Sequence, residues 1–199
     1  MTFSPDGTLL ALAGYVSQVE LWDVGNPADP RRKDVLPRRH TGEVYDAAFS
    51  PDGTLLVTAS DDATAGLWRV TDPGNPVWLA SMERHTSSVY VAAFSRTAPL
   101  VATAGFDETT ILWDITIPES PRQIGMLTGH GLPVSPIAFH PGGDVLLTQD
   151  NTSRTVLWDI AELVRVVRDP LGRACAIDGG PSPAEWRRYG GATPLDPCG

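Results

Sequence analysis

Short alternations of apolar and polar residues, separated by turn-forming residues, recur along most of the chain. Val44 to Ser50 is one such run, and Pro51-Asp52-Gly53 follows it, where proline fixes φ and glycine permits the left-handed region. Leu55 to Ser60 then forms a hairpin partner, residues 61–64 make a polar turn, and Gly66 to Val70 carries a tryptophan. The pattern predicts three short antiparallel strands in succession.

A proline-rich connection precedes a fourth predicted strand. Pairs of prolines occupy this connection in three places: Pro27 and Pro30, Pro73 and Pro76, and Pro118 and Pro121. Because proline cannot donate a ladder hydrogen bond, it suits a segment that leads to an edge strand, such as Val77 to Ser81. Each unit is therefore predicted to be a four-stranded meander.

These units recur with a period of about 45 residues. Tryptophans are separated by 46, 45 and 45 residues at Trp22, Trp68, Trp113 and Trp158. Phenylalanines follow the same steps at Phe3, Phe49, Phe94 and Phe139, and histidines are 45 residues apart at His40, His85 and His130. Three residue types that share one period indicate an internal repeat.

Motifs within the repeat resemble those of the WD-repeat family. They are Leu-Trp-Asp at 21–23, 112–114 and 157–159, Gly129-His130, and Phe-Ser-Pro-Asp-Gly at 3–7 and 49–53. The resemblance covers about residues 1–160 and implies an all-β fold, a β-propeller of four-stranded antiparallel blades packed around a central channel. We expect about four blades, hence an incomplete propeller. The expected divisions are a partial repeat at 1–23, core repeats at 40–68, 85–113 and 130–158, and a C-terminal tail with short helices at 161–199.

The resemblance also implies a buried hydrogen-bond network in each blade. It joins a His before the innermost strand, a Ser or Thr on the second strand, an Asp in the next turn and the Trp of the third strand. Because unpaired buried polar groups are costly, a complete network holds loop and strand together. The expected members are His40, Thr58, Asp62 and Trp68 in the second repeat, His85, Thr103, Asp107 and Trp113 in the third, and His130, Thr148 and Trp158 in the fourth.

The first and fourth repeats depart from this pattern. In the fourth, Thr152 stands where the Asp is expected, and Asp150 is close enough in sequence to substitute for it. The first keeps only Trp22, with Leu12 and Val16 at two of the other positions. We therefore expect the second and third blades to be the most rigid.

Regularly spaced His and Asp residues have a second interpretation, as metal ligands or as acid and base catalysts. In a radial array, however, equivalent positions lie on different blades, too far apart to share one ion. The chain has no nucleophile motif, and Gly142-Gly143 is better explained as a turn than as a phosphate-binding loop. The prediction is a non-catalytic protein without a metal or cofactor.

Four residues are predicted to lie on the face that the loops form around the channel. Tyr45 and Tyr90 each follow the Val that opens an innermost strand, and Asp61 and Phe106 directly precede the network Asp of their repeats. The family resemblance implies that these positions contact peptide ligands, and exposed aromatic residues commonly anchor interfaces. Packing between neighbouring blades is the alternative explanation for the two tyrosines.

Charge narrows the class of partner. The formal net charge is −9 and the isoelectric point is near 4.7. This balance disfavours nucleic acid and membrane surfaces as partners and favours a basic protein or peptide. No apolar stretch approaches the length of a membrane span, and residues 1–30 lack a secretory signal. The sequence therefore predicts a cytoplasmic protein.

The number of repeats leaves the predicted propeller open. The first repeat is expected to lack its innermost strand, and no fourth strand is recognisable after Trp158. Terminal repeats need cover for solubility. The missing blades are therefore expected to come from a longer chain or from a second copy, and the longer chain is the preferred explanation.

Residues 161–199 change character. Apolar residues at helical spacing follow Asp159, the expected N-cap of a short helix, and a capping box at 182–185 predicts a second helix. Cys175 and Cys198 are either two thiols or a disulfide, and thiols are preferred in the cytosol.

The tail contains Asp169-Pro170, Ala174-Cys175, Glu185-Trp186, Tyr189 and Cys198. With these residues it resembles the terminal segment of large bacterial, particularly actinobacterial, proteins in which a signal-transducing NTPase or another effector domain precedes WD repeats. The resemblance leaves two functions open. One is a non-catalytic scaffold that binds a protein or peptide, and the other is the sensor part of a larger bacterial signalling NTPase or kinase.

Overall fold

The structure, a computed structural model, describes residues 1–14 and 17–168 of the 199-residue chain. These residues form four antiparallel sheets, each with its strands in chain order. The first sheet contains β1 (Thr2–Phe3), β2 (Leu9–Leu12), β3 (Glu20–Asp23) and β4 (Arg31–Val35). The second contains β5 (Val44–Phe49), β6 (Leu55–Ser60), β7 (Ala65–Arg69) and β8 (Val77–Met82). The third contains β9 (Val89–Phe94), β10 (Leu100–Gly105), β11 (Thr110–Asp114) and β12 (Arg122–Leu127). The fourth contains β13 (Val134–Phe139), β14 (Val145–Asp150) and β15 (Thr155–Asp159), and α1 (Ala161–Arg168) follows it.

The predicted fold class is confirmed: the sheets are the blades of an incomplete β-propeller, followed by a short helix. Successive blades pack face to face, and their innermost strands β1, β5, β9 and β13 lie side by side in that order. A separate hydrophobic cluster fills each of the three gaps between blades. Radial stacking of the repeats therefore builds the core.

A serine-proline-aspartate-glycine turn joins the first two strands of the second blade. Gly53 adopts a φ of 74°, and its N–H donates to the carbonyl oxygen of Ser50 at 2.9 Å. The carboxylate of Asp52 accepts hydrogen bonds from the hydroxyl groups of Ser50 and Thr54 and from the Thr54 N–H. The turn is closed by its own side chains, and the first blade repeats it at residues 4–8.

Neighbouring residues of one strand pack into the gaps on opposite sides of their blade. In β7, Trp68 packs toward the first blade with Leu21, whereas Leu67 packs toward the third blade with Ile111. All four side chains are at least 99% buried. Because successive side chains of a strand point to opposite faces, each inner blade buries both of its faces.

Helix α1 lies against the gap between the third and fourth blades. Val164 and Val167 are buried in the same cluster as Leu112 and Leu146. The guanidinium of Arg168 donates to a backbone carbonyl in the β9–β10 turn. The helix therefore covers part of the core beside the fourth blade, which has three strands among the described residues. No helix in the described part of the chain is long and apolar enough to cross a membrane.

The start of α1 differs from the prediction by one residue. The carbonyl oxygen of Ile160 accepts the first helical hydrogen bond, from the Val164 N–H at 3.0 Å, so Ile160 occupies the N-cap position. The carboxylate of Asp159 still accepts the N–H of Ala161 at 3.0 Å. Asp159 therefore satisfies one of the free N–H groups of the helix from the position before the cap.

The expectation that the first repeat lacks its innermost strand is wrong. Thr2 and Phe3 form β1, because both residues pair with β2, opposite Ala11 and Leu10. Two residues are enough for a strand where the neighbouring hairpin supplies a ready partner. The predicted second tail helix, both cysteines and Val16 lie outside the described residues.

We expect Leu112→Ala to lower the free energy of unfolding by about 2–5 kcal/mol, because it leaves a cavity between the third and fourth blades. The control is Ile117→Ala, at a side chain that is 63% exposed, where the change should stay within about 0.5 kcal/mol. Urea unfolding followed by tryptophan fluorescence measures both variants. Equal losses of unfolding free energy would contradict the burial of Leu112 between the third and fourth blades.

Candidate functional site

The second blade contains a connected network of buried polar side chains. His40 Nε2 lies 2.8 Å from Thr58 Oγ1, and Trp68 Nε1 donates to the same hydroxyl oxygen at 3.1 Å. His40 Nδ1 lies 3.0 Å from Asp62 Oδ2. One threonine hydroxyl thus joins the third strand, through Trp68, to the loop before the innermost strand, through His40.

The third blade repeats this arrangement and shows the direction of its hydrogen bonds. Trp113 Nε1 donates to Thr103 Oγ1 at 2.9 Å, and the same hydroxyl lies 2.8 Å from His85 Nε2. Asp107 Oδ2 lies 2.8 Å from His85 Nδ1, and an ionised carboxylate can only accept, so the proton of a neutral His85 lies on Nδ1 and Nε2 accepts from the Thr103 hydroxyl. Burial lowers the pKa of His85 even though Asp107 opposes the change. His85 and Asp107 therefore form a hydrogen bond between a neutral imidazole and a carboxylate near pH 7.

Additional donors keep the network aspartates ionised. Burial by itself would raise the pKa of Asp62, but hydrogen bonds from Thr64 and the Thr41 N–H, together with His40, bring it below its ordinary value. The pKa of Asp107 is lowered against burial in the same way, with Thr86 and Thr109 as the corresponding donors. These donors were not predicted from the sequence. A Thr two residues after the Asp in both repeats was the available signal.

The fourth blade uses an aspartate at a different position. Asp150 Oδ2 lies 3.1 Å from His130 Nδ1, and Thr148 Oγ1 joins His130 to Trp158. Hydrogen bonds from the Thr152 hydroxyl and from His130 hold the pKa of Asp150 far below its ordinary value. Asp150 is the last residue of β14, so its carboxylate reaches the histidine from the strand instead of from the turn.

In the first blade a glutamate takes the place of the threonine. Trp22 Nε1 donates to Glu20 Oε2 at 2.8 Å, while Leu12 occupies the position equivalent to Thr58. Sequence comparison of the repeats missed Glu20, because the equivalent residue in the second blade is Gly66. In that blade a Cβ on Gly66 would lie 2.6 Å from the Trp78 ring, so only glycine fits.

Tyr45 and Tyr90 lie in β-bulges of the innermost strands. The residues on either side of Tyr45 pair with consecutive residues of β6, and Tyr90 has the same place opposite β10. A bulge redirects the side chain of its extra residue away from the regular sheet faces. Opposite Tyr90, a Cβ on Gly105 would collide with the carbonyl oxygen of Ser88, so the close approach of β9 and β10 requires glycine there.

The four predicted partner-binding residues meet in one continuous group across two blades. The rings of Tyr45 and Tyr90 are 5.3 Å apart between centroids, and those of Tyr90 and Phe106 are 6.0 Å apart, both edge to face. Asp61 Oδ1 accepts hydrogen bonds from the Tyr45 hydroxyl at 2.9 Å and from the Ser88 hydroxyl at 2.7 Å. We call these five residues, Tyr45, Asp61, Ser88, Tyr90 and Phe106, the rim cluster.

The rim cluster combines exposed apolar surface with a fixed negative charge. Phe106 is 52% exposed and Asp61 is exposed, whereas both tyrosines are half-buried. Hydrogen bonds from Ser88 and Tyr45 lower the pKa of Asp61. The same carboxylate raises the pKa of Tyr45 to about 12, so this phenol remains a neutral donor at pH 7.

Contact between the second and third blades buries part of the surface of both tyrosines. Tyr45 of the second blade contacts Tyr90 of the third, and both keep part of their surface in solvent. Ser88 was not predicted as a member. No repeat pattern marks it, since the equivalent residue of the second blade is Glu43.

The described structure also contains a groove away from the rim cluster. A groove of about 480 Å³ runs between the outer strands of the third blade and α1, but its carboxylate Asp114 is already paired with Arg122 at 2.7 Å. Among residues 1–14 and 17–168, no group of three His, Cys, Asp or Glu side chains is placed to hold a metal ion.

Comparison with protein families matches two segments of the chain, 34–69 and 77–114, to the WD domain, G-beta repeat. Each matched segment contains one complete set of His, Thr, Asp and Trp network residues. Together with the four antiparallel sheets, the matches support a WD-repeat β-propeller. Repeats of this class generally act as non-catalytic scaffolds for protein–protein interaction. No curated protein matches the chain.

Thr103→Val should lower the free energy of unfolding by about 2–4 kcal/mol, because it keeps the shape but leaves His85 and Trp113 without their shared partner. Thr71→Val, at an exposed threonine, is the control and should change the free energy by less than about 0.5 kcal/mol. Chemical denaturation measures both. If both variants lose the same free energy of unfolding, the network does not contribute specifically to stability.

Acid should weaken the fold in two steps. The pKa of His85 is lowered in the folded state, so the unfolded chain takes up more protons and stability falls as the pH drops below about 6.5. The pKa of Asp107 is also lowered, so its contribution is present above about pH 4 and is lost as the pH falls through its folded pKa. Urea midpoints measured from pH 7.5 to 3 test this profile. His85→Gln should flatten the upper step and Asp107→Asn the lower one; unchanged profiles in both variants would contradict the assignment.

Proposed function

We propose that this chain is a non-catalytic platform that binds a protein or peptide through the rim cluster. The supporting observation is that Tyr45, Asp61, Tyr90 and Phe106, which lie far apart in sequence, form one contiguous surface across the second and third blades. A ligand on this surface contacts both blades at once. Its recognition therefore depends on the way in which the blades are stacked.

Phe106 is the main anchor in this proposal. Its ring contacts Tyr90 along one edge and leaves 52% of its surface exposed. Burial of such a ring under a ligand removes apolar surface from water, and aromatic residues near the centre of an interface carry much of its binding free energy. Tyr90 supports the ring from the innermost strand.

Asp61 gives the surface its preference for a basic ligand. Its carboxylate accepts two hydroxyl donors through Oδ1, and among the described residues no cationic side chain contributes to the lowering of its pKa. The carboxylate is thus charged, and none of the groups that shift its pKa is a cation. A lysine or arginine side chain can pair with it and stack on the neighbouring aromatic rings. The formal net charge of −9 strengthens long-range attraction of such a ligand.

The network beneath the surface holds it in position. Asp62 and Asp107 each follow a rim residue directly in sequence and bind the N–H of a loop residue as well as the network histidine. The side chains of Asp61 and Phe106 therefore extend from turns that are fixed on the inside. A preorganised surface loses less conformational entropy when a ligand binds.

We place this activity in the cytoplasm, as the composition suggests. The alternative function, a sensor part of a larger signalling NTPase or kinase, depends on the resemblance of the tail, whose residues beyond 168 lie outside the described part of the chain. The rim cluster supports the scaffold function directly.

A panned library of random 12-residue peptides tests the proposal. Peptides enriched on the full chain should carry lysine or arginine. Phe106→Ala or Tyr90→Ala should weaken the binding of these peptides about tenfold or more, as measured by a fluorescence-anisotropy titration. Asp61→Asn should reduce the preference for basic peptides over variants in which their lysine or arginine is replaced by glutamine.

Ile117→Ala is the matched control, because it removes an exposed aliphatic side chain outside the rim cluster. Circular dichroism establishes that every variant is folded. Equal binding by Phe106→Ala, Tyr90→Ala and Ile117→Ala would exclude the rim cluster as the binding surface.

A further inference from the structure

Leucines at one repeated position differ sharply in exposure. Leu21, Leu67 and Leu112 are fully buried, whereas Leu157 of the fourth blade is 68% exposed. In the first three blades, this leucine faces the next blade along the chain. Among the described residues, no further blade packs against this face of the fourth blade.

Leu157 lies on a largely apolar sheet face. Leu147 and Val145 of β14 lie on the same side, and their equivalents in the second and third blades pack into the gaps between blades. The exposed Asp159 marks one end of this face, and Gln149 and Thr155, which bond to each other at 3.0 Å, mark the other. We call this surface the leucine face.

The opposite end of the molecule exposes the complementary type of surface. Phe3 is 61% exposed, and Trp22 and Leu10 are half-exposed. Trp68 and Leu56, the equivalents of Trp22 and Leu10 in the second blade, are at least 99% buried against the first blade. We call the surface made by Phe3, Leu10 and Trp22 the tryptophan face.

All three internal gaps join a leucine face to a tryptophan face. Between the second and third blades, for example, Leu67 packs in one cluster with Trp113 and Val101. Among the described residues, one leucine face and one tryptophan face therefore have no partner blade, and each is one half of an interface that these residues already form three times.

We propose that the leucine face of one molecule docks on the tryptophan face of a second copy of this chain. The interface continues the packing between blades, so it needs no new type of contact. Because the two surfaces differ, the association is head to tail, and it closes into a ring or extends as an open chain according to the rotation per molecule. This association does not rest on the rim cluster or on the proposed function.

Sedimentation velocity of the full chain over about 1–100 µM tests the proposal, a range that covers interfaces of ordinary strength. We expect species of twice the 21.3 kDa monomer mass or more, which dissociate on dilution. Leu157→Glu and, separately, Phe3→Lys should each yield monomers. Both side chains are exposed in the single molecule, so the variants should fold, and circular dichroism measures this directly.

Two further measurements make the result specific. Ile117→Glu introduces the same charge at a side chain of similar exposure outside both faces and should leave the mass unchanged. An equimolar mixture of the Leu157→Glu and Phe3→Lys variants should recover a dimer, because one of the two junctions is then native. A wild-type chain that is monomeric at 100 µM, or a Leu157→Glu variant of unchanged mass, would overturn the proposal. Phe106→Ala, which tests the proposed function, should not alter the mass.

Discussion

Burial of each sheet against both of its neighbours is the constraint on which the rest of this structure depends. A single four-stranded sheet of this length has two apolar faces and no interior of its own. Leu67 and Trp68, adjacent in β7, each require a different neighbouring blade. Repetition of the same unit at about 45 residues satisfies both requirements, because every blade presents to the next what the previous blade presented to it.

Hydrogen bonds between buried polar side chains stabilise the individual blades from within. Thr58 and Thr103 are fully buried, yet each hydroxyl is bonded to a tryptophan and to a histidine. The histidines in turn bind aspartates that also fix the loops. A network of this kind links the innermost loop, the second strand and the third strand, so the turns beside it have one conformation to present to a ligand. The rim cluster stands on those turns.

The same arrangement accounts for where partners can bind. The faces between blades are apolar and are used for stacking, whereas the rim combines Phe106, two tyrosines and the charge of Asp61. The proposed ligand recognition and the proposed association between copies thus use surfaces of different composition. A variant at one surface need not disturb the other, which is why the two proposals can be tested apart.

The sequence by itself determined the repeat period and most of the strands, because alternation, turn residues and spacing are local properties of the chain. Through its resemblance to WD repeats, the sequence also predicted the β-propeller and most members of the hydrogen-bond network. It also named the rim residues, although not their contact. Only the tertiary structure decided that Tyr45, Tyr90 and Phe106 touch, that Glu20 replaces a threonine at Trp22, and that Asp150 reaches His130 from a strand. It alone distinguished Leu157 from Leu21, Leu67 and Leu112. The Glu20 and Asp150 contacts depend on how side chains are directed within one blade. The rim contacts and the exposure of Leu157 depend on which blade lies against which, and a residue's neighbours across a gap leave no mark on its own stretch of sequence.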